Sequence, residues 1–213
     1  YWQAPKPPRP AHYLELSPIT VRLTSMANPF TSLTTGIVVL DQDNVDTDQI
    51  VPARFMTTLT SAGLGEALFA DARKRELGKH PLDTFRPDLQ RVLVAGSNFC
   101  CGSSREHAVW AIIDFGFQAV LAPRIADIFR NNALNNGLLA IEISARLHGN
   151  LLNQTDRRIT VDLEAQTIID DAGCLETFEI DPFARYCLMQ GIDRLDYLHK
   201  KQSLVLEYEK GRK

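Results

Sequence analysis

The sequence predicts an α/β fold in which helices flank a core of parallel strands. Short apolar runs lie at 92–95, 119–122 and 138–143, and each is typical of a strand buried on both faces. Segments with helical spacing separate these runs. Strand, helix and strand at short intervals indicate βαβ units, which place their strands side by side and parallel.

The remaining N-terminal elements follow from the same patterns. Residues 37–40 predict a first buried strand, and an acidic turn follows over 41–48. A short helical stretch is expected over 66–76, and an apolar helix over 105–115. Pro123 suits the first turn of the next helix, where a missing N–H costs nothing. The apolar residues of that helix follow helical spacing: Ile125, Ile128 and Phe129.

The C-terminal third changes pattern. Ile159, Val161 and Leu163 alternate with polar residues, which predicts a strand with one buried face, and residues 167–169 are expected to return as the arm of a hairpin. From Pro182 onward the sequence predicts helices. Their apolar stripe consists of Leu198, Val205 and Tyr208.

Length and charge limit the domain count and the partners. The 213 residues suffice for one well-buried core, so we expect a single domain over 31–210. Residues 1–30 are rich in proline and predict a disordered or non-native extension. A net charge of -3 argues against nucleic-acid or anionic-membrane partners. No apolar run approaches the roughly 20 residues that a membrane-spanning helix needs.

The four cysteines indicate a reducing, cytoplasmic setting. Cys100 and Cys101 are adjacent, which suits neither a disulfide nor a pair of metal ligands, since both need separated positions. Cys174 and Cys187 lie far along the chain and complete no disulfide framework. We therefore expect no metal site at these cysteines.

The segment most informative about chemistry is the loop and helix start at 96–108. It follows a buried strand, and open α/β sheets bind ligands beyond the carboxyl ends of their strands. A helix N-terminus there offers free N–H groups and a positive dipole end. Gly102 lets the backbone come close to a ligand, and Ser103 and Ser104 add hydroxyls. Arg105 adds a guanidinium, whose fork of parallel N–H donors suits a carboxylate. The segment predicts a site for a small carboxylate.

Two other interpretations of this segment remain open on spacing alone. Ser103 with Glu106 three residues later also fits a capping box, a purely structural helix start. A serine-hydrolase elbow fits poorly, because residues 102–106 lack its final glycine. His107 lies one helical turn from Ser103, a spacing at which polar neighbours are commonplace.

The acidic run over 41–48 raises the question of calcium. A calcium loop of the EF-hand kind needs glycine at its sixth position and glutamate at its twelfth. Counted from Asp41, those positions hold Asp46 and Pro52. Calcium is therefore not expected.

Several ordered motifs together resemble the swivel domain of the aconitase superfamily, in the form of the isopropylmalate dehydratase small subunits of bacterial type. The resemblance covers roughly residues 31–210 and implies a single swivelling β/β/α domain of the aconitase C-terminal, or domain 4, type. The motifs that carry it lie at 43–55, 98–108, 126–129, 135–139, 161–166 and 181–191.

The resemblance implies a reaction in which a hydroxy-dicarboxylate is dehydrated and rehydrated. In this family the first serine of the Ser-Ser-Arg run is the base, which here is Ser103. Ser104 and Arg105 match contacts to the substrate carboxylate. Asp48, together with Glu106 and His107, is expected to organise the serine loop without touching the substrate.

The loop after Pro52 matches the place where family members select the substrate side chain. Arg54 is expected to bind substrate there, and Phe55, Met56 and Leu59 are candidates for the apolar receptor. Burying a branched alkyl group contributes about 1.5–3 kcal/mol. Ordinary core packing explains each of these three apolar residues equally well.

The family also relies on a [4Fe–4S] cluster held by three cysteines, for which this chain has no suitable spacing. The resemblance therefore implies a separate, cluster-bearing large subunit as partner. Related hydro-lyases acting on homoaconitate, citraconate or methylcitrate remain open, as does a non-catalytic anion-binding module. Cys100 stands where the family usually has glycine, which strains the loop if the backbone there has a positive φ.

Overall fold

A computed structural model describes residues 29–102, 105–153 and 158–211 of the chain. The residues that form strands are β1 (Ser32–Leu40), β2 (Gln90–Ala95), β3 (Ala119–Ala122), β4 (Leu139–Glu142), β5 (Arg158–Asp162), β6 (Thr167–Asp170) and β7 (Leu175–Thr177). The α-helices are α1 (Thr47–Ile50), α2 (Ala70–Glu76), α3 (Glu106–Phe115), α4 (Asp127–Asn135), α5 (Ala145–Leu152), α6 (Pro182–Gln190), α7 (Arg194–Lys200) and α8 (Gln202–Lys210).

The strands form one mixed sheet in the order β4-β3-β2-β1-β5-β6-β7. The first four strands along the chain are parallel, as the apolar runs predicted. The other three are antiparallel, including the predicted hairpin of β5 and β6. β1 joins the two halves, because residues 36–40 pair with β2 while residues 32–36 pair with β5. β7 is an additional short strand that the pattern did not predict.

Both faces of the parallel half are buried. On β2, Leu93 and Ala95 pack into one apolar cluster, while Val92 and Val94 pack into the other. All four side chains are fully buried. The sequence of a strand buried on both faces is a continuous apolar run, so this half of the sheet could be predicted.

The prediction for the segment after β3 was wrong. Pro123 and Ile125 lie before the helix, since α4 begins at Asp127. Ile125 instead pairs with Phe99 in an isolated parallel bridge, and its N–H donates to the Glu142 carboxylate at 2.9 Å. The segment therefore leaves β3 in an extended conformation, and this conformation supports the loop after β2.

Two observations concern the ends of the described chain. Phe30, which we assigned to the extension, is buried, and its N–H donates to the Leu188 carbonyl at 3.1 Å, so the folded part includes it. The expectation for residues 1–28 lies outside the described residues. At the other end, Leu198, Val205 and Tyr208 are exposed on α7 and α8 rather than buried against the domain. Within the described ranges, no helix combines the length and the apolar character needed to span a membrane.

His80 makes the stability of the fold sensitive to pH. Its side chain is 2% exposed, and its Nδ1 accepts the Leu82 N–H at 3.2 Å, which requires the neutral ring. Burial lowers the pKa of this imidazole against the opposing charges of Glu76 and Asp83. The unfolded chain therefore binds the proton more readily, so stability is complete above the unfolded pKa of about 6.5 and is lost as the pH falls below it.

We expect the free energy of unfolding to fall below pH 6.5 by at most about 1.4 kcal/mol per pH unit through this group. Urea unfolding at pH 7.5, 6.5 and 5.5 measures it. His80→Asn keeps an acceptor for the Leu82 N–H but does not titrate, so its curve against pH should be flatter. Parallel curves for the two proteins would contradict the assignment.

Candidate functional site

Three loops meet at the carboxyl edge of the parallel strands. They follow β1, β2 and β3, and the loop after β2 lies between the other two. The N–H of Cys101 donates to the Val45 carbonyl at 3.0 Å, and the Phe99 N–H donates to the Arg124 carbonyl at 3.0 Å. Backbone hydrogen bonds on both sides thus hold the loop after β2 as an extra extended segment. The predicted serine loop leaves from this segment.

Side chains of the acidic turn strengthen the contact between the first two loops. The Asp43 carboxylate accepts the Ser97 N–H at 2.6 Å, and Asn98 Nδ2 donates to Asn44 Oδ1 at 2.8 Å. Asp46 caps α1 by accepting the N–H of Gln49 at 2.8 Å. The acidic run is therefore used for hydrogen bonds to the backbone and to neighbouring side chains.

Gly96 is required where these two loops pass each other. A Cβ at this position would lie 2.3 Å from the carbonyl oxygen of Gln42 and 2.6 Å from Oδ1 of Asp43. The first of these atoms belongs to the backbone and cannot rotate away. The absence of a side chain at residue 96 therefore sets how closely the acidic turn approaches the loop after β2.

Cys100 adopts the left-handed backbone conformation that the resemblance raised as a question. Its φ is +57°, in the region where glycine is favoured and a residue with a Cβ is strained. The side chain is buried in the core, and burial raises the pKa of its thiol well above the ordinary value. The site thus contains a strained, inert cysteine directly before the serine loop.

The two serines of the loop, Ser103 and Ser104, lie outside the described residues. The residues on either side of them are described: Gly102 has a φ of +89°, and Arg105 is the N-cap of α3 without a side-chain cap hydrogen bond. A capping box with Ser103 as N-cap does not agree with this helix start. Glu106, the partner expected for that box, accepts instead from Asn136.

Arg105 is held at the helix N-terminus by Asp48, the aspartate that was expected to organise the loop. One guanidinium nitrogen of Arg105 donates to Asp48 Oδ1. The Arg105 side chain is 27% exposed, so part of its donor fork remains open to solvent. Arg105 also lines a cleft of about 260 Å³, together with Cys100, Gly102 and residues 126–129.

The side chain of His107 connects α3 to the loop after Pro52. His107 Nε2 lies 3.1 Å from the Thr58 carbonyl oxygen, to which it donates as the Nε2–H tautomer. Its ring also packs on that of Trp110, with 5.0 Å between the centroids. The helix that follows the serine run is thus attached directly to the loop expected to select the substrate.

That loop carries the other predicted residues in different settings. Arg54 forms two hydrogen bonds with Asp71, at 2.9 and 2.5 Å, which raise the pKa of the guanidinium and lower that of the carboxyl. Phe55 and Met56 are partly buried against the core. Leu59 is 94% exposed, so core packing does not explain this residue.

Comparison with known proteins identifies the family. The Aconitase C-terminal domain model matches residues 27–146, and the LeuD_N model matches residues 151–182. The 3-isopropylmalate dehydratase small subunit of Anaeromyxobacter sp. (strain K) is 47% identical over 189 residues, which cover 87% of this chain and 99% of the relative. The chain belongs to the 3-isopropylmalate dehydratase small subunit family.

Two further relatives agree with this assignment. The small subunit from Roseiflexus sp. (strain RS-1) is 42% identical over 192 residues, covering 86% of this chain and 94% of the relative. The crystal structure of a 3-isopropylmalate dehydratase from Methanocaldococcus jannaschii matches with a TM-score of 0.65 and 29% identity, covering 84% of this chain and 99% of that chain. The swivel fold expected from the sequence is confirmed.

The cysteines of this family member do not fit an iron–sulfur cluster. Cys100 and Cys187 are buried, and burial raises the pKa of both thiols, which opposes the thiolate form that binds iron. Cys174 lies before β7, in the antiparallel half, away from the carboxyl edge of β2 where Cys101 lies. Among the described residues, no three or more His, Cys, Asp or Glu side chains form a group that could hold a metal ion.

Sequence reasoning assigned no role to three residues that shape this small-subunit site. Asp43 and Asn44 hold the loop after β2 across 54 positions in sequence, and Asn136 contacts Glu106 across 30. Asp43 and Asn44 carried a partial signal, because they begin the first motif of the resemblance. Asn136 carried a similar signal, because it stands directly before a glycine at the end of a predicted helix.

Proposed function

We propose that the chain is the small subunit of 3-isopropylmalate dehydratase, which interconverts 2-isopropylmalate and 3-isopropylmalate through 2-isopropylmaleate in leucine biosynthesis. One observation carries the proposal. Arg105 stands at the N-terminus of α3 beside a cleft, held by Asp48 and with part of its fork open. A guanidinium beside free helix N–H groups suits the carboxylate of such a substrate.

In this proposal Ser103 is the base. It takes a proton from the carbon adjacent to the one that carries the hydroxyl. It gives a proton back when the unsaturated intermediate is rehydrated. A serine hydroxyl is too weak a base unless its alkoxide is stabilised. The N–H groups at the start of α3 and the charge of Arg105 supply that stabilisation.

Ser104 and Arg105 bind a carboxylate of the substrate. Because Asp48 holds only part of the guanidinium fork, Arg105 can keep this ion pair and still donate to the substrate. Glu106 and His107 fix the first turn of α3 through Asn136 and Thr58. These contacts hold the carboxylate-binding residues in one direction before substrate arrives, which lowers the ordering cost of binding.

The loop after Pro52 receives the isopropyl group. We assign the receptor to Leu59, with Phe55 and Met56 supporting the loop from beneath, because Leu59 alone among them is almost fully exposed. Arg54 binds substrate through its remaining donors, because the two hydrogen bonds to Asp71 use two of its five N–H groups. Arg54 also fixes the start of the loop through the Asp71 pair.

The chain acts in the cytoplasm with a separate large subunit and is inactive alone. The departing hydroxyl needs a Lewis acid, and the cysteines of this chain do not fit the [4Fe–4S] cluster that the family uses. We therefore assign the cluster to a large subunit, and the relatives, which are named as small subunits, support this assignment.

Anaerobic reconstitution tests the function. The chain is mixed with cluster-bearing large subunits from relatives, and the absorbance of the unsaturated intermediate is followed with isopropylmalate, homoaconitate, citraconate and methylcitrate. We expect turnover of isopropylmalate only in the mixture, with either subunit alone as the control. If the complex prefers one of the other acids, that acid is the substrate. If no mixture is active, the enzymatic function is refuted and the chain is better described as an anion-binding module.

A further inference from the structure

The side chain of Asn136 uses its hydrogen-bonding groups to join two helices. It follows α4 directly, and its Nδ2 donates to the Glu106 carboxylate at 2.8 Å and to the Asn132 carbonyl at 2.9 Å. Its Oδ1 accepts the indole N–H of Trp110 at 3.0 Å. Both donor hydrogens and the oxygen are therefore engaged, which fixes the amide plane relative to α3.

The two α3 residues that Asn136 holds lie one turn apart on one side of the helix. Trp110 packs on His107, whose Nε2 contacts the Thr58 carbonyl oxygen. A chain of contacts thus runs from the end of α4 through the first two turns of α3 to the loop after Pro52.

The start of α3 depends on these contacts, because its N-cap residue makes no side-chain cap hydrogen bond. An end of this kind frays unless other groups hold it. Glu106 occupies the first helical position and is exposed apart from this contact, so its bond to Asn136 restrains the turn that carries Arg105. The Asp48–Arg105 pair restrains the other side of the same turn.

We propose that Asn136 is a positioning residue for the reaction: by holding Glu106 and Trp110 it fixes the first turn of α3, which has Arg105 as its N-cap, and the place of the loop after Pro52. The inference rests on the proposed function of the serine run, residues 103–105. Asn136 itself touches no substrate.

The variant Asn136→Asp tests the proposal with almost no change in shape. The introduced carboxylate still accepts from Trp110 but cannot donate to Glu106, and two carboxylates then face each other. In the reconstituted complex we expect kcat to fall roughly tenfold to hundredfold, because small errors in the placement of reacting groups cost rate. KM for isopropylmalate should rise as well, because the contact between Glu106 and Asn136 helps to hold the carboxylate-binding residues before substrate arrives.

Exchanging donor and acceptor supplies the rescue. In Asn136→Asp with Glu106→Gln, the new amide on α3 donates to the new carboxylate after α4, and the bond returns with its direction reversed. We expect kcat to recover to within about threefold of the wild-type value, a coupling typical of residues in direct contact. A loss caused only by the missing bond to the Asn132 carbonyl would not respond to this second change.

Asn135→Asp is the matched control. It adds the same charge one residue earlier, at an exposed position of α4, and among the described residues no hydrogen bond or ion pair joins Asn135 to Glu106. Hydrogen–deuterium exchange on the full chain supplies a second readout that needs no activity. We expect faster exchange at 106–109 and 57–60 in Asn136→Asp, wild-type exchange in Asn135→Asp, and recovery in the double variant.

The two readouts separate the failure of this inference from that of the proposed function. If the wild-type complex turns over isopropylmalate and Asn136→Asp matches it in kcat, the positioning role is refuted while the function stands. If no complex is active, the function fails, and unchanged exchange at 106–109 then refutes the restraint by Asn136 as well. A double variant no better than Asn136→Asp also counts against it.

Discussion

Replacing Ser103 with alanine is expected to abolish isopropylmalate turnover while the chain still folds and assembles with its large subunit. The hydroxyl is the proposed base, and losing a general base costs roughly 10²–10⁴-fold in rate. No described residue nearby is a substitute: Arg105 is a permanent cation, and His107 directs Nε2 to the Thr58 carbonyl. Anaerobic assays of kcat and KM, with size-exclusion chromatography of the complex, measure both parts of the expectation.

Ser104→Ala is the matched control, because it removes the same hydroxyl from the neighbouring position. As a carboxylate contact, Ser104 should affect KM more than kcat. If Ser103→Ala retains full turnover, or if the two variants behave alike, the assignment of the base is wrong. Loss of complex formation in Ser103→Ala would instead show that the loop acts in assembly.

The second large effect is expected at Gly96, where alanine should lower the free energy of unfolding by about 3 kcal/mol, the upper part of the range for overpacked sites. The added methyl would lie 2.3 Å from the Gln42 carbonyl oxygen, so the acidic turn must move away from the loop after β2. For a domain of this size, the expected decrease in Tm is roughly 6–12 °C. Thermal and urea unfolding measure the change.

Gly149→Ala is the control for this substitution. Gly149 lies within α5, and a Cβ there would meet no atom within 4 Å. Alanine should stabilise this helix by roughly 0.5–1 kcal/mol, because glycine is the poorer helix former. If both variants lose stability equally, the close approach of Gln42 to Gly96 is not the cause.

The parallel half of the fold was predictable because burial on both faces leaves a plain signature. Residues 92–95 and 119–122 are continuous apolar runs, and both are strands. β7 gives no such signature, since its three residues are at most partly buried and its leucine is exposed. Ile125 and Ile128 have the spacing of a helix but do not form one buried helix face. Ile125 lies in a β-bridge before the helix, and Ile128 is 53% exposed.

The candidate site was predictable in its parts but not in its assembly. Local sequence indicated an anion site at 102–105, because glycine, hydroxyls and arginine stand together before a helix. The Asp48–Arg105 pair spans 57 residues, and the Asp43 contact to the Ser97 N–H spans 54. Contacts at such separation depend on how the strands pair, which composition and periodicity do not specify. The positive φ of Cys100 is likewise not specified by composition or periodicity.

The position of β1 between the two halves of the sheet has a consequence for synthesis on the ribosome. β1 is the first strand to emerge, yet residues 32–36 pair with β5, more than a hundred residues later. At translation rates of roughly 5–20 residues per second, residues 32–36 stay unpaired for on the order of ten seconds before β5 is synthesised. An open edge in the middle of a sheet is a template for aggregation. Nascent chains that stop before residue 158 should therefore be the species that chaperones bind most.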